Sequence, residues 1–146
     1  LRQMYENDLS LKDEKRVQPL LERRFNLTLH KMPISYRIDW FATRNGQANA
    51  VIEYKRRFVE RNQYDTIFLS LSKWNAGLDF VLKNKLAFVF VAEWNDGIGY
   101  LAVPSADSIK NYQIGFGGRT AQTRDNGDIE PVIYLPISEF KSLEDA

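Results

Sequence analysis

The chain has 146 residues and a mass of 17.0 kDa, with 44% hydrophobic and 27% charged residues, which suits a single globular domain over 1–146 and leaves little room for a second. Twenty Lys and Arg against 19 Asp and Glu give a formal charge of +1, so the total does not describe a strongly cationic nucleic-acid binder. There is no cysteine, which excludes a disulfide framework, a thiolate zinc site, an iron–sulfur cluster and a cysteine nucleophile.

The longest apolar run, Leu86 to Ala92, is seven residues, against roughly 20 for a membrane-spanning helix. The N-terminal stretch LRQMYENDLSLKDEKR has no signal-peptide core, and its Leu start fits a trimmed or partial chain. A cytoplasmic location is the expectation.

Val17, Leu20, Leu21 and Phe25 recur at three- and four-residue steps, predicting a helix over Lys12 to Asn26 with one buried face. Pro19 falls inside it, where a missing N–H predicts a kink or an early turn. Leu27 to Met32 reads as a short strand. Ser35 to Phe58 then forms two alternating stretches joined at Arg44-Asn45-Gly46, where Asn-Gly supplies the positive φ of a tight hairpin turn. From Tyr64 to Asn84, Ile67, Leu71, Trp74, Leu78 and Val81 or Leu82 fall at helical steps, predicting a second helix.

Leu86 to Trp94 is a buried strand, Asn95 to Gly97 a turn, and Gly99 to Val103 its hairpin partner. Pro104 to Asp128 reads as a long polar loop, and Pro131 to Pro136 as a strand closing the sheet. The order is helix, three strands, helix, then further strands: a mixed α/β class with a largely central sheet.

Asp39 lies in the middle of the first hairpin strand and Glu53-Tyr54-Lys55 at the end of the second. Side chains alternate along a strand, so Glu53 and Lys55 share one face while Ile52 and Tyr54 take the other. Asp39 and Glu53 are six and seven residues from the turn, close to direct cross-strand pairing. Two carboxylates that close repel unless a cation neutralises them. Magnesium takes hard oxygen ligands, often one or two carboxylates completed by water and phosphate oxygens. Beside it, Lys55 is placed to orient or deprotonate a water and to offset phosphate charge.

Asp39, thirteen intervening residues, and Glu53-Tyr54-Lys55 resemble the D...(D/E)xK signature of the PD-(D/E)XK, or restriction-endonuclease-like, nuclease superfamily. The order αβββαβ over residues 12 to 94 is similar too. The resemblance departs at Ile38, where the family often has proline.

It implies a Mg²⁺-dependent nuclease, with Mn²⁺ as an alternative metal, in which Asp39, Glu53 and the Tyr54 carbonyl hold the metal and Lys55 serves the attacking water. The family often adds a glutamate from the first helix. Glu14, three residues before Val17 and seven before Leu21, lies on the apolar stripe and is preferred to Glu22. Lys73, one step before Trp74, resembles the helix-borne Lys or Gln that some members aim at the site, with Gln63 a weaker candidate.

Residues 1–62 hold 13 Lys or Arg and 8 Asp or Glu, a net of +5, whereas residues 63–146 hold 7 and 11, a net of −4. The basic half carries the motif, with Arg56, Arg57 and Arg61 directly after it, and phosphate-facing charge there suits nucleic acid, DNA above all. Arg56 alternates away from Lys55, which leaves Arg57 as the substrate-facing candidate. Arg119 and Arg124, in the glycine-containing stretch IGFGGRTAQTRDNGD, are candidate phosphate clamps. The lone His30 reads as structural or surface, and Trp40, Trp74 and Trp94 as core.

Two other readings stay open. One is a catalytically inactive nuclease-fold protein that binds nucleic acid or another protein; the other is a structural subunit in which these charges form a buried ion-pair network. One such site per chain means that cutting both strands of a duplex calls for a homodimer, successive nicks or a larger assembly.

Overall fold

In the computed structural model, the structure describes residues 8–118 and 129–144. Among the described residues it is a mixed α/β architecture with two α-helices. The first, α1 (Asp8–Phe25), continues through Pro19 without interruption. Three strands follow: β1 (Thr28–Lys31), β2 (Trp40–Arg44) and β3 (Gln47–Arg56). After β4 (Thr66–Ser70) and α2 (Leu71–Asn84) come β5 (Ala87–Trp94) and β6 (Gly97–Val103). The chain closes with β7 (Ile114–Gly118), β8 (Ile129–Pro136) and β9 (Lys141–Ser142).

Six strands form a mixed sheet in the order β1-β2-β3-β5-β6-β9, parallel only where β3 meets β5. Its centre is buried on both faces. Val89 and Val91 join Ala50, Ile52 and Tyr54 under Val17 and Leu21 of α1, whereas Phe88, Phe90 and Ala92 join Val51 under Trp74 and Val81 of α2. Gly77 lets α2 approach: a Cβ there would overlap the Phe88 ring.

The hairpin between β2 and β3 turns at Asn45 and Gly46, with φ of 52° and 78°, as a two-residue turn with both φ positive requires. Its register then shifts. Arg44 faces Gln47 and Thr43 faces Ala48, but Ala42 faces Ala50 and Trp40 faces Ile52, with an irregularity between Ala42 and Thr43. One residue of β3 is left over, a bulge that moves every later pairing by one position.

Four sequence expectations are corrected. The segment expected as one helix from Tyr64 to Asn84 is β4 followed by α2; Ile67 and Leu69 point into the core on a two-residue period that the spacing of Ile67, Leu71 and Trp74 had masked. β4 pairs with β8, more than sixty residues away (Thr66 with Pro136, Ser70 with Val132), a partner no local pattern reveals. The last strand therefore does not close the central sheet: β8 lies between β4 and β7 in a separate three-stranded sheet. The stretch expected as loop contributes β7, and Asp39 stands one residue ahead of β2 rather than in its middle.

Among the described residues no helix is long and apolar enough to cross a membrane.

Candidate functional site

Glu53 is 2% exposed, the deepest placement of a charged side chain among the described residues. It projects from β3 toward α2, where Lys73 Nζ donates to its Oε2 at 2.8 Å. Its Oε1 is buried and has no hydrogen-bond partner among the described residues. Burial pushes this carboxyl well above the usual carboxylate range, the nearby Asp39 charge adds to the shift, and Lys73 opposes it. For Lys73, burial disfavours the charge, but Glu53 and Asp39 outweigh it and hold its pKa above the ordinary lysine value.

Asp39 reaches the same place through the bulge. Carried one step beyond Trp40 and Ile52, the register sets Asp39 opposite Glu53. Its Oδ2 accepts from the Tyr54 N–H at 2.8 Å, which closes the end of the hairpin. Without the extra residue Asp39 would face Ile52, on the wrong side of the sheet.

Lys55, two residues after Glu53 and on the same face, donates from Nζ to the Phe68 carbonyl of β4 at 2.5 Å, with its ammonium 3.9 Å from the Phe68 ring centroid. The side chain is half-buried. Burial and the cations Arg57 and Lys73 bring its pKa down from 10.5 to about 7, against the pull of Glu53. Near neutral pH it can both hold and release a proton, the property a water-activating lysine needs.

Glu14 is buried on α1 at 7% exposure. Its Oε1 lies 2.9 Å from Lys31 Nζ, and the same ammonium is 3.6 Å from Asp39 Oδ1. Glu22 goes elsewhere: its Oε2 accepts from the Leu29 N–H at 2.9 Å and tethers the start of β1 to α1.

The other candidates separate. Arg57 lies over Phe68 at 5.8 Å, on the Lys55 side. Arg56 turns away to Glu93 and Asn95. Arg61 is spent on the Phe140 carbonyl and the Trp94 ring, Arg24 on Leu143 and Tyr100, and Arg44 on the carbonyls of Phe25 and Asn26. Much of the excess positive charge thus braces the fold. Gln63 donates to the Tyr64 hydroxyl, and His30 pairs across the strands with Thr43 at 2.9 Å. Trp40, Trp74 and Trp94 are core, at 1%, 2% and 3% exposure. Arg119 and Arg124 lie outside the described residues.

A carboxylate pair at the end of a hairpin, one member buried and the other partly so, with the lysine two residues on beside it, is the arrangement on which a family match bears directly. The chain matches the family described as "Phage putative PDDEXK endonuclease" over residues 1–143. It belongs to this PD-(D/E)XK family. No curated protein matches it.

Three contributors in this PD-(D/E)XK chain escape sequence reasoning. Lys31 ends β1 and carries no motif. The Phe68 carbonyl belongs to a strand read as helix. Glu93 accepts from the Tyr54 hydroxyl at 2.6 Å and from the two terminal Arg16 nitrogens at 3.0 and 2.7 Å, tying α1 to β3 and β5 behind the site; a carboxylate set directly between the apolar run Leu86 to Ala92 and Trp94 was the available signal. Among the described residues no group of three Asp, Glu or His side chains converges as a ready metal cage. Asp39 and Glu53 nonetheless fit a hard divalent ion, since magnesium is commonly held by one or two carboxylates and Glu53 offers a buried oxygen to which no group among the described residues donates.

Proposed function

We propose that the chain is a metal-dependent nuclease that hydrolyses phosphodiester bonds, in DNA, with Mg²⁺ or Mn²⁺ held by Asp39, Glu53 and the Tyr54 carbonyl. The observation that carries this reading is the unpartnered, buried Glu53 Oε1 beside Asp39. An oxygen in that state costs stability with no structural return, so a ligand is the natural reason for it.

When bound there, a divalent ion supplies neutralisation of phosphate charge and acidification of water. The chain's own residues do the rest. Asp39 is held by the Tyr54 N–H with one oxygen left to face the site. Lys73 keeps Glu53 oriented. Lys55, with its pKa near 7, accepts a proton from water at Nζ and, once charged, attracts a phosphate oxygen. Arg57 supplies further positive charge on that side, and Arg119 is assigned to phosphate by its sequence position alone. Glu14 is assigned a supporting part through its position on α1. The order of α1, three strands, α2 and β5 supports a restriction-endonuclease-like core with β4 inserted, within one domain.

The test is cleavage of plasmid, linear and single-stranded substrates with Mg²⁺, Mn²⁺ or EDTA, in the wild type, Asp39→Asn and Lys55→Met. Metal-dependent cutting lost in both variants is the expected result; equal activity in all three removes the assignment. A homodimer is proposed if both strands of linear duplex are cut in one binding event, and sedimentation with DNA reads that directly.

A second reading, an inactive nuclease-fold module that binds nucleic acid or protein, is favoured by one observation: Lys31 and Lys73 already neutralise the carboxylates. It predicts DNA affinity unchanged by EDTA and no metal binding.

A further inference from the structure

Asp39 has two carboxylate oxygens with different duties. Oδ2 is committed to the Tyr54 N–H, so Oδ1 is the oxygen left for a ligand. It faces Lys31 Nζ at 3.6 Å, and that ammonium sits at 2.9 Å from Glu14 Oε1. Lys31 is therefore the bridge between the helix carboxylate and the hairpin carboxylate, and it stands where a cation shared by those two groups would be repelled by its charge.

Lys73 is placed differently. It touches Glu53 on Oε2 and leaves Oε1 open, so it orients that carboxylate without covering the oxygen aimed at the site.

We propose that Lys31, held between Glu14 and Asp39, is a built-in counter-ion that competes with the divalent metal for Asp39, and that it leaves as the metal binds. This rests on the reading of Asp39 and Glu53 as metal ligands. Two features fit a departing role. Lys31 is the last residue of β1 with a side chain 38% exposed, so its flexible stem can swing into solvent without disturbing the core. The carboxylates it would release are poorly exposed, at 14% and 9% side-chain exposure for Asp39 and Glu14, so an incoming cation that takes its place is screened less by water than at an open surface. The ammonium thus keeps the acidic cluster folded until metal arrives and sets the metal concentration at which the site fills.

The experiment is calorimetric titration of Mn²⁺ into the full chain, comparing wild type, Lys31→Met, Lys31→Gln, Lys31→Arg and Asp39→Asn, with circular dichroism as the check on folding. The Met and Gln variants are expected to bind Mn²⁺ about five- to tenfold more tightly than wild type, the yield of removing one partly exposed competing ion pair. Lys31→Arg should restore the weaker wild-type affinity. Equal or weaker binding in both neutral variants overturns the competitor role, and if Asp39→Asn still abolishes wild-type binding the metal reading stands. Absence of any Asp39-dependent binding in every variant overturns both.

Discussion

Lys73 Nζ lies 2.8 Å from Glu53 Oε2, a contact between the first turn of α2 and the last part of β3 that offsets the charge of the most buried carboxylate in the site. Removing the lysine leaves that group without its hydrogen-bond donor in a low-dielectric setting. Lys73→Met should lower stability by about 1–3 kcal/mol, and the double variant Lys73→Met/Glu53→Gln should regain most of it. Urea denaturation of the four members of this cycle measures the coupling, and additive effects would show the two groups to be independent.

Asp39 has a structural and a charged role that can be separated. Asn at 39 keeps an oxygen to accept the Tyr54 N–H, whereas Ala leaves that donor bare. Asp39→Asn should stay within about 0.5 kcal/mol of wild type, and Asp39→Ala should lose about 1–2 kcal/mol, while both lose metal-dependent cleavage. Parallel denaturation and cleavage assays check this.

Burial makes the charged form of Lys55 costly despite its contacts with the Phe68 carbonyl and ring. Its pKa falls from 10.5 unfolded to about 7 folded, so between these values the unfolded chain binds more protons and stability rises with pH. The cost of the buried ammonium is fully present below pH 7. Lys55→Met should therefore be more stable than wild type at pH 6 by about 1–2 kcal/mol, a figure reduced for the side chain's partial exposure, with the difference shrinking toward pH 10. Thermal melts across that range read it, and a constant difference would contradict the lowered pKa.

Glu93 behaves in the opposite sense. Burial works to raise its pKa, but hydrogen bonds from Arg16 and Tyr54, with the charges of Arg16 and Arg56, bring it below the ordinary 4.5. A depressed carboxyl contributes stability above the unfolded value and loses it as pH falls through the folded one. Glu93→Gln should cost about 1–2 kcal/mol at pH 7 and almost nothing at pH 3. Denaturation midpoints of both proteins at the two pH values should converge on the acid side.

At Gly77 a methyl group has no room against Phe88, which is fully buried. Gly77→Ala should cost about 1–3 kcal/mol through displacement of that ring, despite the better helix propensity of alanine. A gain in melting temperature would show the α2 to β5 packing to be looser than this.

Several parts of this fold and site are legible in the sequence because they depend on neighbours along the chain. The three- and four-residue spacing of α1 turns Glu14 inward with Val17 and Leu21, and alternation along β3 separates Glu53 and Lys55 from Tyr54. Lys73 precedes Trp74 on α2 and so lands beside the sheet face on which Glu53 sits. β4 was hidden because five residues of strand followed without a break by helix preserve apolar spacing across the join. β7 was hidden because glycines at 115, 117 and 118 read as a loop.

What the sequence determined alone is the set of chemical groups: no thiol, one histidine, two carboxylates and a lysine at strand spacing, and a basic half that carries them. Local periodicity also settles that Glu53 and Lys55 share a face, since side-chain direction along a strand repeats every two residues. What only the tertiary structure decided is which groups meet. The bulge between β2 and β3 sets Asp39 opposite Glu53 rather than Ile52, β4 brings the Phe68 carbonyl to Lys55, and the end of β1 delivers Lys31 between Glu14 and Asp39. Those meetings depend on register and on pairing between distant segments, and a shift of one residue in either reverses every side chain beyond it.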